Sequence, residues 1–185
     1  IASYRPLSTL VVIDRQTNKI VWKIDDVSIG QHNVQILPAG VPGTGHMLLF
    51  DNGYNSVGAN PRHQEVLPNS SAVEVDPLTG KAKWRVPLMD FQHWSAVMTT
   101  GGGLVFTGKE TGEFIALDID TGQQLWKFQT GSGINAQPIT FTHKGRQMVS
   151  VLSGVGGLYW NTMRERLKDH VAPGGSVWTF ALVEE

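Results

Sequence analysis

Six histidines, sixteen acidic residues and no cysteine bound the chemistry open to this chain of 185 residues. Without cysteine there are no disulfides, no thiolate nucleophile and no Cys-type metal site, and the redox compartment stays open. His32, His46, His63, His93, His143 and His170 are scattered, with neither a His-x-His nor a His-Glu-x-x-His spacing. Spacing of that kind is what places two imidazoles on one ion, so the pattern points to no metal site. The carboxylates fall mostly in turn sequences, where Asp14, Asp76 and Asp118 are suited to accept backbone N–H groups. Nothing in their spacing marks an acid–base pair. The Gly101-Gly102-Gly103 run leads into a strand pattern rather than a helix, which argues against a phosphate loop. Asn69-Ser70-Ser71 is a glycosylation acceptor by pattern alone.

The elements that must position these groups are legible in a repeat. Glu113-Phe-Ile-Ala-Leu-Asp118 alternates with the period of two that a half-buried strand needs, and Asp120-Thr121-Gly122 supplies turn chemistry. The return strand, Gln123 to Phe128, carries Trp126. The same unit occurs at Asp14…Trp22 and Asp76…Trp84, and in all three copies Trp follows Asp by 8 residues. Asn18 stands where the later copies have Gly80 and Gly122. Ser176-Val-Trp-Thr-Phe-Ala-Leu182 resembles the first strand of a fourth copy. Trp84 and Trp126 lie 42 residues apart, within the ~40–50 of one propeller blade. Trp22 and Trp84 lie 62 apart, which assigns roughly 20 further residues to that blade. The surplus reads as a polar loop over 53–71. One segment, 162–171, reads as a helix with Met163, Leu167 and Val171 on one face, stopped by Pro173-Gly174-Gly175. The expected architecture is all-β: a single partial β-propeller domain over 1–185, of about four four-stranded antiparallel blades with one short helix. Trp22, Trp84 and Trp126 are then packed between neighbouring blades.

Charge and hydropathy narrow the partners. Net charge is −1 with a pI near 6.7, which gives no reason to expect a nucleic-acid partner or an anionic membrane surface. No apolar run reaches the ~20 residues of a spanning helix. The sequence opens on Ile1 without a leader pattern and reads as a piece of something longer. An open set of blades leaves strand edges bare, so self-association through those edges is expected.

Trp94-Ser-Ala-Val-Met-Thr-Thr-Gly-Gly-Gly-Leu-Val-Phe-Thr-Gly108, Ala116-Leu-Asp-Ile-Asp-Thr-Gly122 and Phe128-Gln-Thr-Gly-Ser-Gly-Ile-Asn-Ala-Gln-Pro138 are specific sequences in a specific order. With Val151-Leu-Ser-Gly-Val-Gly-Gly157 and Gly174-Gly-Ser-Val-Trp-Thr-Phe-Ala-Leu182, they make residues 85–185 resemble the C-terminal part of a quinoprotein (PQQ-dependent) alcohol dehydrogenase. The resemblance implies an eight-bladed propeller, pyrroloquinoline quinone near its axis, a Ca²⁺ or lanthanide ion, a periplasmic setting and alcohols as substrates, with an electron acceptor as partner. It also implies that the metal ligands, the catalytic Asp and most quinone contacts belong upstream of this stretch. What the resemblance assigns here is one wall of the quinone site: Trp94, the Gly156-Gly157 turn, Trp160 and Asn161. Leu158-Tyr159 stand where that family usually has Trp directly after the glycine pair. Bare backbone at Gly156 and Gly157 suits close approach to a flat group.

Residues 1–84 resemble bacterial arylsulfotransferase-like propeller blades, through Lys19-Ile-Val-Trp-Lys23, Gly30-Gln-His-Asn33, Leu48-Leu-Phe-Asp-Asn-Gly53 and Val73-Glu-Val-Asp-Pro-Leu-Thr-Gly80. That resemblance implies a covalent role for His32, with Asn33 in place of an orienting acid. Three functions follow: part of a quinone-dependent dehydrogenase, inactive alone; a sulfate-transferring enzyme working through His32; and a non-catalytic propeller scaffold or binding module.

Overall fold

An aspartate, a short turn and a residue with positive φ close each outer hairpin, and the strand registers follow from them. The computed structural model describes residues 1–4, 8–25, 31–52, 70–88 and 94–182. They fall into two compact units, Ile1–His93 and Trp94–Glu185, each carrying two antiparallel sheets.

In the first unit, β1 (Ala2–Tyr4), β2 (Thr9–Ile13) and β3 (Ile20–Asp25) form one sheet. A second follows in chain order from β4 (Gln31–Ile36), β5 (Met47–Asp51), β6 (Ser71–Val75) and β7 (Ala82–Pro87). In the second unit, β8 (Val97–Thr99), β9 (Leu104–Gly108), β10 (Glu113–Asp118) and β11 (Gln124–Gln129) make a four-stranded sheet. The other sheet of that unit is β12 (Ile139–His143), β13 (Arg146–Ser153) and β14 (Ser176–Ala181), with α1 (Gly157–Leu167) between its last two strands. Four blades were expected and four sheets are found, two of them three-stranded among the described residues. The expected loop over 53–71 lies outside the described residues except at its end, where Ser71 opens β6. His63, His93 and Asn69 lie outside them as well.

The three repeats share one hydrogen-bond pattern. Asp14 N–H donates to Lys19 O and Asn18 N–H to Asp14 O, at 2.9 and 2.8 Å. Asp76 with Lys81 and Gly80, and Asp118 with Gln123 and Gly122, repeat the pair. Asn18, Gly80 and Gly122 have φ of 54°, 71° and 73°, the left-handed region that Gly, and next Asn, enters at least cost. Each turn is followed by a register shift, between Val12/Ile13, Glu74/Val75 and Ala116/Leu117. The shift sets Trp22, Trp84 and Trp126 opposite Val12, Glu74 and Ala116. The constant Asp-to-Trp spacing is therefore a bulged hairpin written in sequence.

Strands β5 and β6 are buried at every residue, as interior strands covered on both faces must be. Leu10, Met47, Leu49, Val73 and Val75 make the core of the first unit, with Val12, Trp22 and Ile24 against it. Trp22 Nε1 donates to Pro77 O at 3.1 Å, joining the two sheets of that unit. In the second unit Met98, Phe106, Phe114, Ile134, Val149 and Val151 play the same part. Trp84 is buried as expected, but Trp126 keeps 39% of its surface. It lies on edge strand β11, where Phe114, Phe128 and Phe180 surround it at 5.2–6.2 Å between ring centroids and solvent covers the rest.

The helix corrects the expected 162–171. It begins at Gly157 and ends at Leu167. Gly156 is extended and Gly157 has φ of 53°, so the glycine pair is the corner from which the helix starts. Tyr159 thereby joins the Met163–Leu167 stripe, and the chain leaves the helix through a turn in which His170 and Val171 N–H both donate to Leu167 O. Pro173 lies beyond that turn.

Two outcomes are expected. Gly122→Ala costs roughly 1 kcal/mol, read by urea unfolding, whereas Asn18→Gly is neutral or stabilising. The Asp14 and Asp76 carboxyls are held below the usual value of 3.8, chiefly by the backbone N–H groups of Gln16 and Leu78 respectively. A carboxyl that ionises more readily when folded stabilises fully above its unfolded value, and that contribution is lost as pH falls through the lowered folded value. Asp76→Asn is expected to flatten the fall in melting temperature below pH 4; an unchanged acid limb would contradict the role assigned to Asp76.

Candidate functional site

Trp94 enters the second unit just before β8, and its position is fixed by a carboxylate beneath it. Trp94 N–H donates to Glu110 Oε1 at 2.9 Å, and Glu110, in the turn between β9 and β10, is fully buried. The indole itself is 46% exposed. One side of it meets the Tyr159 ring, at 4.8 Å between centroids and 57° between planes. Tyr159 is 4% exposed, and its burial pushes the phenol well above its ordinary range, so it stays neutral. It is an aromatic buttress for Trp94.

Tyr159 comes two residues after Gly157, so the helix start that places Tyr159 against Trp94 also brings the glycine corner to the same end of the unit. A Cβ added at Gly156 or Gly157 would meet no atom within 4 Å. Of the residues expected to form a wall, the structure links Trp94 to Gly156 and Gly157 through Tyr159, which packs against Trp94 and follows Gly157 by two residues. It separates the other two. Trp160, one step further round α1, is half-buried and lines a groove of about 400 Å³ with Arg164, Lys168, His170 and Pro173. Asn161 is exposed on the helix surface. Sequence reasoning missed Tyr159 and Glu110. A helix expected from 162 leaves Tyr159 outside it, and no spacing in the sequence marks Glu110.

In the first unit His32 lies on β4. Its Nε2 is 3.0 Å from Asn52 Oδ1, and its ring lies over Phe50 at 5.0 Å. Asn33 has φ of 52° at the bulge between His32 and Gln35, and its Oδ1 accepts from Gln35 Nε2. Asn33 therefore serves the backbone, and the His32 contact is with an amide rather than an acid. Glu74 is fully buried, with Oε1 2.8 Å from His46 Nδ1 and 3.8 Å from Lys83 Nζ. Among the described residues no group of three or more His, Cys, Asp or Glu is placed to hold a metal ion, and no helix is long and apolar enough to cross a membrane.

Residues 89–149 match the PQQ family described as "Glucose/ethanol/alcohol dehydrogenase, beta-propeller domain". The chain is 45% identical to a quinoprotein ethanol dehydrogenase of Pseudomonas putida over 114 residues, 58% of this chain and 18% of that one. It is 42% identical to a lanthanide-dependent methanol dehydrogenase of Methylorubrum extorquens over 106 residues, 57% of this chain and 18% of that one. The matching stretch spans less than a fifth of these relatives. Among solved structures, a europium-containing methanol dehydrogenase superposes with a TM-score of 0.69 at 22% identity, covering 96% of this chain and 44% of the other. A quinohemoprotein alcohol dehydrogenase from Comamonas testosteroni superposes with a TM-score of 0.65 at 21% identity, covering 95% and 34%. The sheets are all-β propeller blades whose structural neighbours are PQQ-dependent propeller dehydrogenases, and the resemblance to quinoprotein alcohol dehydrogenases holds over about 58% of the chain. The sulfotransferase resemblance of residues 1–84 gains no support from these matches.

Truncating the buttress has a calculable effect. Tyr159→Ala is expected to cost about 3 kcal/mol in urea unfolding and to raise acrylamide quenching of Trp94, while Tyr159→Phe keeps the ring pair and leaves the quenching near wild type.

Proposed function

We propose that this chain supplies one wall of the quinone site of a PQQ-dependent alcohol dehydrogenase propeller and is inactive by itself. The observation that carries the reading is the exposed Trp94 ring, its main-chain N–H held by buried Glu110 and the ring braced by buried Tyr159, two residues from the Gly156–Gly157 corner where the backbone leaves open space. A planar, electron-poor ring system fits such an arrangement: indole offers a broad apolar face, and glycine backbone allows close approach. When bound, the quinone supplies the hydride acceptor for an alcohol. This chain's residues do the rest of what is assigned here. Trp94 covers one face and excludes water from it. The Gly156–Gly157 backbone lets the cofactor edge lie against the chain without a side chain intervening. Tyr159, neutral and buried, keeps the indole from rotating away.

A metal fits less well. The described residues supply no acidic cluster, so the ion expected beside the quinone would be held by groups elsewhere in the complete propeller, together with the catalytic base. The alcohol, the electron acceptor and a periplasmic setting belong to that complete protein.

Purified alone, the 185-residue chain is expected to show no quinone-dependent oxidation of ethanol or methanol by dye reduction, with or without Ca²⁺ or a lanthanide; measurable turnover would refute inactivity. PQQ should nonetheless quench its tryptophan fluorescence saturably, and Trp94→Ala should weaken that association by about tenfold or more, of the order of a lost stacking contact. Equal affinity in the two proteins would remove Trp94 from the site.

A further inference from the structure

We infer that Glu110, Ser132 and Gly133 are positioning residues that together set the separation between Trp94 and the Gly156–Gly157 backbone. The inference rests on the wall described above and extends it to residues that touch no cofactor. Trp94 and the glycine corner are far apart in sequence, and the described hydrogen bonds between them run through one loop, Thr130–Ile134.

On one side the loop is bonded to the turn that holds Trp94. Ile134 N–H donates to Lys109 O at 3.0 Å and Thr130 N–H to Gly112 O at 2.8 Å. The Thr130 hydroxyl also donates to Gly112 O, at 2.8 Å. Between those anchors sits Glu110, whose Oε1 receives the Trp94 N–H. On the other side the loop is bonded to the segment that leads into the glycine corner. Gly154 N–H donates to Gly133 O at 2.7 Å, and Val155 N–H donates to Ser132 Oγ at 3.2 Å. Ser132 Oγ in turn donates to Ala172 O at 2.7 Å, tying in the chain that returns from the helix. Ser153 Oγ bonds both the Thr130 hydroxyl and Ser132 O, at 2.7 and 2.8 Å.

Gly133 is the narrowest point of this stack. A Cβ there would collide with Glu110 O on one side and lie 2.6 Å from Val155 Cγ1 on the other. Its φ lies outside the left-handed region, so glycine is required for space rather than for conformation. Backbone Glu110 O cannot swing aside as a side-chain tip would, so any side chain at 133 must push the Trp94 support and the Gly156 lead-in apart. Ser132, Ser153 and Glu110 are all buried. A buried carboxylate is costly unless bonded, and Oε1 of this one accepts a main-chain N–H next to an exposed indole.

The test uses the 185-residue chain, ¹⁵N-labelled at its six tryptophan indoles, with the Trp94 signal assigned from Trp94→Phe. Glu110→Ala and Gly133→Ala are expected to shift the Trp94 indole resonance and to weaken PQQ association by roughly tenfold, since small misplacements of positioned groups are felt strongly. Glu110→Gln keeps a carbonyl acceptor and should stay within about twofold of wild type. Gly122→Ala, in the distant hairpin, loses stability but should leave the Trp94 resonance in place. If Gly133→Ala fails to fold, Ser132→Ala, which removes the Val155 and Ala172 bonds without adding volume, is expected to show the same two changes. An unmoved Trp94 resonance in both Glu110→Ala and Ser132→Ala would overturn the inference. A wild-type chain that fails to bind PQQ would sink the proposed function instead, and the indole resonances would still decide the positioning.

Discussion

The carboxylate-capped hairpin turn is the constraint from which most of this fold is built. A single aspartate accepts two backbone N–H groups within the turn, as Asp118 Oδ1 does from Asp120 and Thr121 at 3.0 and 2.8 Å. That leaves one residue to cross into the left-handed region and one residue's worth of bulge in the ladder. The bulge decides which side of the sheet the return strand presents, because a one-residue slip in a period of two exchanges its faces. Tryptophan is thus delivered to the same place in each copy not by its own packing but by the turn before it. This explains why Trp22, Trp84 and Trp126 share a register and yet differ in burial: the hairpin fixes position, and neighbouring elements determine how much is covered.

The candidate site follows a different rule. Trp94, Tyr159 and the Gly156–Gly157 corner come from segments between hairpins, and none of them is placed by a strand ladder. They are placed by buried polar contacts: a carboxylate on a backbone N–H, hydroxyls on carbonyls, and one glycine narrow enough to let two backbones pass. Loops set by such contacts hold a surface group more firmly than side-chain packing alone, because each buried donor or acceptor that lost its partner would carry a desolvation penalty. An exposed indole can therefore be rigid.

How much of this was legible in sequence follows from the same distinction. The blades could be read because an Asp, a Gly or Asn and a Trp at fixed spacing encode local geometry. The turn capping by Asp14, Asp76 and Asp118 was read from the same pattern, and the structure shows all three. The site was only partly readable. Trp94 and the glycine pair are singled out by resemblance, whereas Glu110 and Tyr159 depend on contacts 16 or more residues away in sequence, which no local period records. The helix start was misplaced for a local reason: Gly156-Gly157 has the chemistry of a turn, and it is one, but the turn and the first helical residue are the same glycine. Asn33, which stands where the sulfotransferase resemblance has an acid, takes positive φ at the strand bulge after His32, a need that the sequence around it does not record.

Among the described residues Asp51, Glu74 and Glu110 are fully buried acids, and the last two suggest a common use of charge in an all-β framework. Glu74 in the first unit and Glu110 in the second each lie against a glycine, Glu74 through its side-chain Oε1 and Glu110 through its main-chain O. A Cβ at Gly43 would run into Glu74 Oε1, as one at Gly133 would run into Glu110 O. In each unit the acid secures a segment outside the strands, the Val41–His46 turn through His46 in one and Trp94 in the other. Apolar packing cannot do this work, because it is non-directional and those segments expose backbone that must find partners. A carboxylate can, since it accepts a directed bond from a position set by the strand or turn beneath it. Propeller blades leave their connecting segments at the rim, where binding surfaces are made, and a buried carboxylate that bonds such a segment holds it without adding bulk.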